Sequence, residues 1–231
     1  MILAFIMGIL GSGILYLTTK YYLPVLSKRA QKELPEVLDN SSMVLMENKK
    51  AKHQNIGILI GGFLFSFLFG YFLERNAVSI FSIVTLGSGF LVLACVFVTD
   101  LKLYIIPNLV VGITMVIRIV ILALEAMFEQ EYIISSLVDS VLGLIISFLF
   151  LLAMSAITKQ GLGYGDVKIF SAIGFLCGIQ TVFYTLFFSF LLCAIVSTGF
   201  LMTKKKKFKD SLPLGPFIWF GYGISIILAL V

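Results

Sequence analysis

The sequence predicts an all-α polytopic membrane protein of about eight transmembrane helices, and three observations carry that fold class. Hydrophobic residues make up 60% of the chain and charged residues 13%, a balance that one soluble core with a polar surface cannot accommodate. Apolar runs near the roughly 20 residues needed to cross a bilayer recur along most of the length. Lys and Arg also concentrate on alternate loops, which assigns those loops to the cytoplasmic side.

The first helix is expected at 1–19. It has no basic stretch ahead of its apolar run, and Lys20 comes after it, so it reads as a retained helix with its N-terminus outside rather than as an export signal. Residues 20–55 form a cytoplasmic loop carrying Lys20, Lys28, Arg29, Lys32, Lys49, Lys50 and Lys52. Its middle, Leu34 to Met43, lacks periodicity and is interrupted by Pro35, Asn40 and Ser41. The loop is too short and too polar to hold a core of its own.

The membrane-embedded core, 56–231, follows with helices at 56–73, 78–98, 105–124, 133–157, 167–179, 181–202 and 214–231. Glu74 with Arg75, and then Glu125, Glu129 and Glu131, fall on the outer loops. Lys102, then Lys159 with Lys168, then Lys204 to Lys207 with Lys209, fall on the inner ones. The short sixth helix continues into the seventh through a turn at Gly178-Ile179-Gln180. Eight spans satisfy the alternation, put both termini outside and place two acids, Asp100 and Asp166, at the cytoplasmic surface.

Several function classes drop out on composition. The net charge of +5 is confined to one membrane face, so anionic lipid accounts for it and nucleic acid is not a partner. Cys95, Cys177 and Cys193 lie singly in apolar spans with no Cys-x-x-Cys pair, which gives a metal site no support. The only histidine, His53, lies in the first basic loop, and nothing near it suggests a Ser-His or Cys-His nucleophile.

Chemistry is left to polar groups at helix ends. A carboxylate at a membrane boundary is costly, and Asp100 and Asp166 occupy matching junctions between apolar segments. Asp166 follows Gly161, Gly163 and Gly165, which permit unusual dihedrals and close approach of another chain. Pro107 is expected in the first turn of the helix after Asp100, where its missing N–H costs nothing. Two facing carboxylates share one proton, which holds a general base and a general acid together. One would activate a water and the other protonate a scissile carbonyl. The bland alternative is that each acid caps a helix or pairs with a nearby lysine, Asp100 with Lys102 and Asp166 with Lys168.

The sequence resembles the type IV prepilin peptidases, membrane aspartyl proteases with a Gly-x-Gly-Asp motif. The similarity rests on Gly163-Tyr164-Gly165-Asp166-Val167-Lys168 with Ala172-Ile173-Gly174, on Asp100 with Ile106-Pro107-Asn108, on Pro213-Leu214-Gly215-Pro216-Phe217, and on Met7 to Gly13. The resemblance implies a GxGD aspartyl protease architecture in the bacterial inner membrane, with Asp100 and Asp166 as the catalytic pair. It implies cleavage, on the cytoplasmic side, of the basic leader of type IV prepilin or pseudopilin precursors, including those of type II secretion and competence systems. Gly163, Gly165, Lys168, Pro107, Pro213, Gly215 and Pro216 are supporting candidates. Many members of that family also methylate the new N-terminus with S-adenosylmethionine and carry two Cys-x-x-Cys pairs in the first cytoplasmic loop. That loop has no cysteine here, so zinc is not supported and S-adenosylmethionine is not expected as a cofactor.

Two other classes stay open on the residues. A presenilin-like intramembrane protease shares Gly-x-Gly-Asp but pairs it with Tyr-Asp, whereas Thr99 precedes Asp100 here. An ion-coupled transporter would use the same two acids but would hold them near the midplane. Among other polar residues in spans, Arg118 is expected to pair with Asp139 or to reach outward to Glu125. Gly57 with Gly61, and Gly174 with Gly178, have the spacing of close helix contacts. Glu33, Glu36, Asp39 and Glu47 could meet a basic leader.

Overall fold

The structure, a computed structural model, describes residues 2–25, 49–76, 79–158, 163–202 and 212–229. Most of the expected loop at 20–55, with Glu33, Glu36, Asp39 and Glu47, lies outside the described residues, as do Gly161 and Lys204 to Lys209. The chain divides into two compact units, Met1–Asn76 and Ala77–Val231. Every described element is helical. Four long helices of the second unit and the N-terminal helix of the first are long and apolar enough to cross a membrane. The protein is a multi-pass membrane protein.

In the first unit, α1 (Ile2–Leu17) continues through a π-helical stretch, Thr18–Tyr22, and packs on α2 (Lys49–Arg75). Small residues set the approach, as they must where apolar side chains gain nothing by leaving lipid. A Cβ on Gly70 would lie 2.8 Å from the Ala4 backbone, one on Gly8 would lie 2.9 Å from the Phe63 ring, and Gly11 faces the Ser66 side chain. Among the described residues of this unit, the expected contact through Gly57 and Gly61 is not made, because a Cβ at either would meet nothing within 4 Å. The α2 helix also starts at Lys49 rather than near 56. Lys49, Lys50, Ala51, Lys52 and Gln54 are good helix formers, so the helix runs on past its apolar stretch into the segment expected as loop.

The second unit comprises α3 (Ile80–Leu103), α4 (Asn108–Phe128), α5 (Ile133–Ile157), α6 (Tyr164–Met202) and α7 (Gly215–Ala229). The helices expected at 167–179 and 181–202 are the two halves of α6, broken at Gly178, whose φ of 84° and ψ of 175° suit glycine. The break has a partner. Asp139 Oδ1 accepts the Ile179 N–H at 3.1 Å, and a Cβ on Gly178 would run into the Asp139 carboxylate.

That use of Asp139 settles the partner of Arg118. The buried guanidinium donates to Glu125 Oε1 at 3.2 Å, to Ser140 Oγ at 2.9 Å and to Ser136 Oγ at 2.7 Å. The second expectation for Arg118 therefore holds, and the Arg118–Asp139 pair does not form. Gly174 does make a close helix contact, its backbone lying against that of Gly143 on α5.

The α7 helix is held against α3 by aromatic packing and by hydrogen bonds to helix carbonyls. Trp219 lies 5.1 Å from both the Phe90 and the Phe97 rings, and its indole N–H donates to the Phe90 carbonyl at 3.2 Å. One turn on, the Tyr222 hydroxyl donates to the Leu86 carbonyl at 2.8 Å. On the α6 side, Ser225 Oγ lies 3.2 Å from Thr185 Oγ1, and Gly221 faces Ser189. Antiparallel packing on α3 brings the first residues of α7 to the end of α3 that carries Asp100.

Candidate active site

Asp100 lies in the last turn of α3, not beyond it as the expected end at 98 implied, and it is buried. The helix stops because Tyr104 turns left-handed, at φ 54° and ψ 32°, and returns its N–H to the Asp100 carbonyl at 2.9 Å. This is the αL cap normally made by glycine, and a side chain at such a position costs about 1–2 kcal/mol. Ile105, Ile106 and Pro107 then lead, without helical structure, into α4. Pro107, at φ −69° and ψ 131°, is the residue before α4 rather than part of its first turn, because its ψ is extended.

The Asp100 carboxylate is received by the start of α7. The Gly215 N–H donates to Asp100 Oδ2. Glycine is required there, since a Cβ would lie 2.7 Å from Asp100 Cβ and 3.0 Å from the Val96 carbonyl oxygen. Pro213 leads into α7 and Pro216 lies in its first turn, a place where a residue without an N–H leaves no donor unsatisfied. A helix N-terminus with free amides favours a carboxylate.

Asp166 lies in the first turn of α6, with Gly163 ahead of it as the capping residue. The N–H groups of Asp166 and Val167 donate to the Gly163 carbonyl at 3.0 and 3.3 Å. The Asp166 carboxylate accepts from the Gly163 backbone N–H, which is one half of a capping box. A Cβ on Gly165 would lie 3.2 Å from Ile106 Cβ, so the bare backbone lets the α3–α4 connection pack against the start of α6. Lys168 does not pair with Asp166. Its ammonium donates to Asn108 Oδ1 at 3.1 Å.

Asp100 and Asp166 open into one cavity of about 280 Å³, with Tyr104, Ile106, Asn108 and Lys168 also on its walls. The two carboxylates are within range of each other's charge. Gly163 and Gly165 line the same cavity, whereas Pro107, Pro213, Gly215 and Pro216 do not. A larger cavity, about 780 Å³, lies at the opposite end of α3 beside Glu125, Glu129 and Asp139. Size would favour it, but two of its acids are engaged, Glu125 with Arg118 and Asp139 with the α6 break. Tyr104 is the wall residue that sequence reasoning missed. Hydropathy gives no signal for it, and only its backbone conformation singles it out. Among the described residues, no three His, Cys, Asp or Glu side chains gather as a metal-ligand set.

Residues 86–198 match the type IV leader peptidase family, a stretch that contains both aspartates and every residue named on the cavity wall. Over that segment the chain is similar to the type IV leader peptidase family. The match ends before Pro213, Gly215 and Pro216, so the α7 side of the site lies outside it. Among curated proteins, the chain is similar to a prepilin leader peptidase/N-methyltransferase of Bacillus subtilis (strain 168), at 34% identity over 143 residues. That alignment covers 58% of this chain and 54% of the relative. It is also similar to the leader peptidase HopD of Escherichia coli, at 42% identity over 66 residues, covering 26% of this chain and 39% of the relative. The chain thus spans about half the length, or less, of these curated relatives. No solved structure matches it.

Proposed function

We propose that this protein is a membrane aspartic endopeptidase that removes the N-terminal leader of type IV prepilin or pseudopilin precursors. The observation that carries the reading is that Asp100 and Asp166, from helices far apart in sequence, share one cavity at one end of the helical unit. Two carboxylates so placed hold a single proton between them and titrate as a pair. The ionised carboxylate takes a proton from a water as that water attacks the scissile carbonyl carbon. The protonated one gives its proton to the carbonyl oxygen; as the tetrahedral intermediate collapses, the first carboxylate passes the proton it took to the leaving nitrogen and the second takes back the hydroxyl proton. No covalent enzyme intermediate and no metal is needed.

The distribution of lysines supports a cytoplasmic position for the cavity, since Lys102 and Lys168 lie two residues after the two acids at the same helix ends. Precursors would then meet the site just ahead of their own membrane helix. The Bacillus relative's name includes N-methyltransferase. Without cysteines in its first loop, this chain is read as a peptidase alone, independent of S-adenosylmethionine and zinc. The test is co-expression with a prepilin, followed by the mass and N-terminal sequence of the product. Cleavage between leader and helix without an added methyl group is expected. An uncut precursor, with the protein present in the membrane, would overturn the reading.

A further inference from the structure

We propose that Tyr104 is a positioning residue whose ring and hydroxyl hold the extended peptide backbone of the substrate across the two carboxylates. The inference rests on the peptidase reading above. Among the described residues, Tyr104 is the only non-glycine with a positive φ. Its backbone task, ending α3 and returning an N–H to Asp100, is one that glycine performs without steric penalty. A strained conformation retained beside a reactive group points to a use for the side chain.

The side chain is placed for such a use. It is 55% exposed, it lines the cavity that holds Asp100 and Asp166, and its hydroxyl has no hydrogen-bond partner among the described residues. Of the other polar wall groups, Lys168 is cationic and donates one N–H to Asn108 Oδ1, which occupies the oxygen of that amide. Ile105 and Ile106 offer only apolar surface. The tyrosine hydroxyl is a neutral group that can both donate to and accept from a peptide group, with a flat ring beside it for an extended chain to lie on. Attack by water requires the scissile carbonyl to be held at near-attack distance. Carboxylates occupied with proton transfer cannot also supply that hold. The ligand class is polypeptide backbone next to the scissile bond, recognised by shape and neutral hydrogen bonding rather than by charge.

The experiment measures cleavage kinetics and thermal midpoint for purified wild type, Tyr104→Gly, Tyr104→Asn and Tyr104→Phe in lipid nanodiscs, with a prepilin as substrate and Asp100→Asn as the inactive control. Glycine and asparagine both accept the left-handed conformation. Both variants are expected to keep or raise the thermal midpoint while kcat/KM falls by about tenfold or more. Tyr104→Phe keeps the ring and is expected to lose only about threefold, mainly in KM. Glycine and asparagine variants that cut as fast as wild type would overturn the inference, leaving Tyr104 a helix terminator. Loss of thermal midpoint in both, in step with activity, would overturn it in favour of a structural role. A wild-type protein that cuts no pilin-like precursor overturns the peptidase reading and this inference with it.

Discussion

Asp100 and Arg118 are both buried charged residues on transmembrane helices, and their surroundings differ in kind. Asp100 receives backbone N–H groups and opens to a cavity, whereas Arg118 is enclosed by Glu125 and three hydroxyl side chains, with side-chain exposures of 7% and 11% for the ion pair. The first arrangement leaves a carboxylate open to the cavity, and the second ties each carboxylate oxygen of Glu125 to a hydrogen-bond donor. Gly215→Ala is expected to displace Asp100 by the width of a methyl group. Cleavage should fall by about a hundredfold with the protein still present in the membrane, and unchanged cleavage would remove Gly215 from the site. Arg118→Ala leaves Glu125 buried without its partner and should cost about 3–5 kcal/mol. The double reversal Arg118→Glu with Glu125→Arg should recover folded yield that either single reversal loses. Rescue by reversal at Asp139 instead would contradict the assignment.

At the scale of elements, the break in α6 is defined by Gly178 and Asp139 together. Asp139→Ala removes the acceptor for the Ile179 N–H, and loss of a cap of this kind costs about 1 kcal/mol. Gly178→Ala must accept both the positive φ and a clash with Asp139, so it should lower the thermal midpoint further than Asp139→Ala; equal effects would argue against the clash. Gly178-Ile179-Gln180 was legible as a turn because glycine interrupts an otherwise continuous apolar run. The partner was not legible, because Arg118 and the Ile179 N–H are both candidate donors to Asp139 and only packing decides between them. Helix ends show the same division. Thr99, Asp100 and Lys102 are polar, so hydropathy ends α3 early, yet the backbone stays helical until Tyr104 turns left-handed. The close contact of α1 with α2 was missed at Gly8, Gly11 and Gly70, because glycines in an all-apolar helix do not declare which face they lie on.

For the whole molecule, hydrophobic run length and loop charge were enough to give the helix order, since in a bilayer every backbone group must be satisfied within a helix. The juxtaposition of Asp100 and Asp166 was legible from the family motif. The support from Gly215 could be anticipated only as a segment, because it depends on Trp219 and Tyr222 fixing α7 along α3. The lysine distribution predicts a topology that thiol labelling checks. With the native cysteines as background, Glu131→Cys should react with an impermeant reagent in intact spheroplasts, and Thr158→Cys only after permeabilisation. The opposite pattern would place the cavity outside. The most direct test of the central claim, that the two aspartates work as one unit, is single-turnover prepilin cleavage by purified Asp100→Asn, Asp166→Asn and the double variant. Groups that act together are strongly non-additive, so each single variant should lose at least about a thousandfold and the double variant no more. Appreciable cleavage by either single variant, or losses that multiply in the double, would contradict the account.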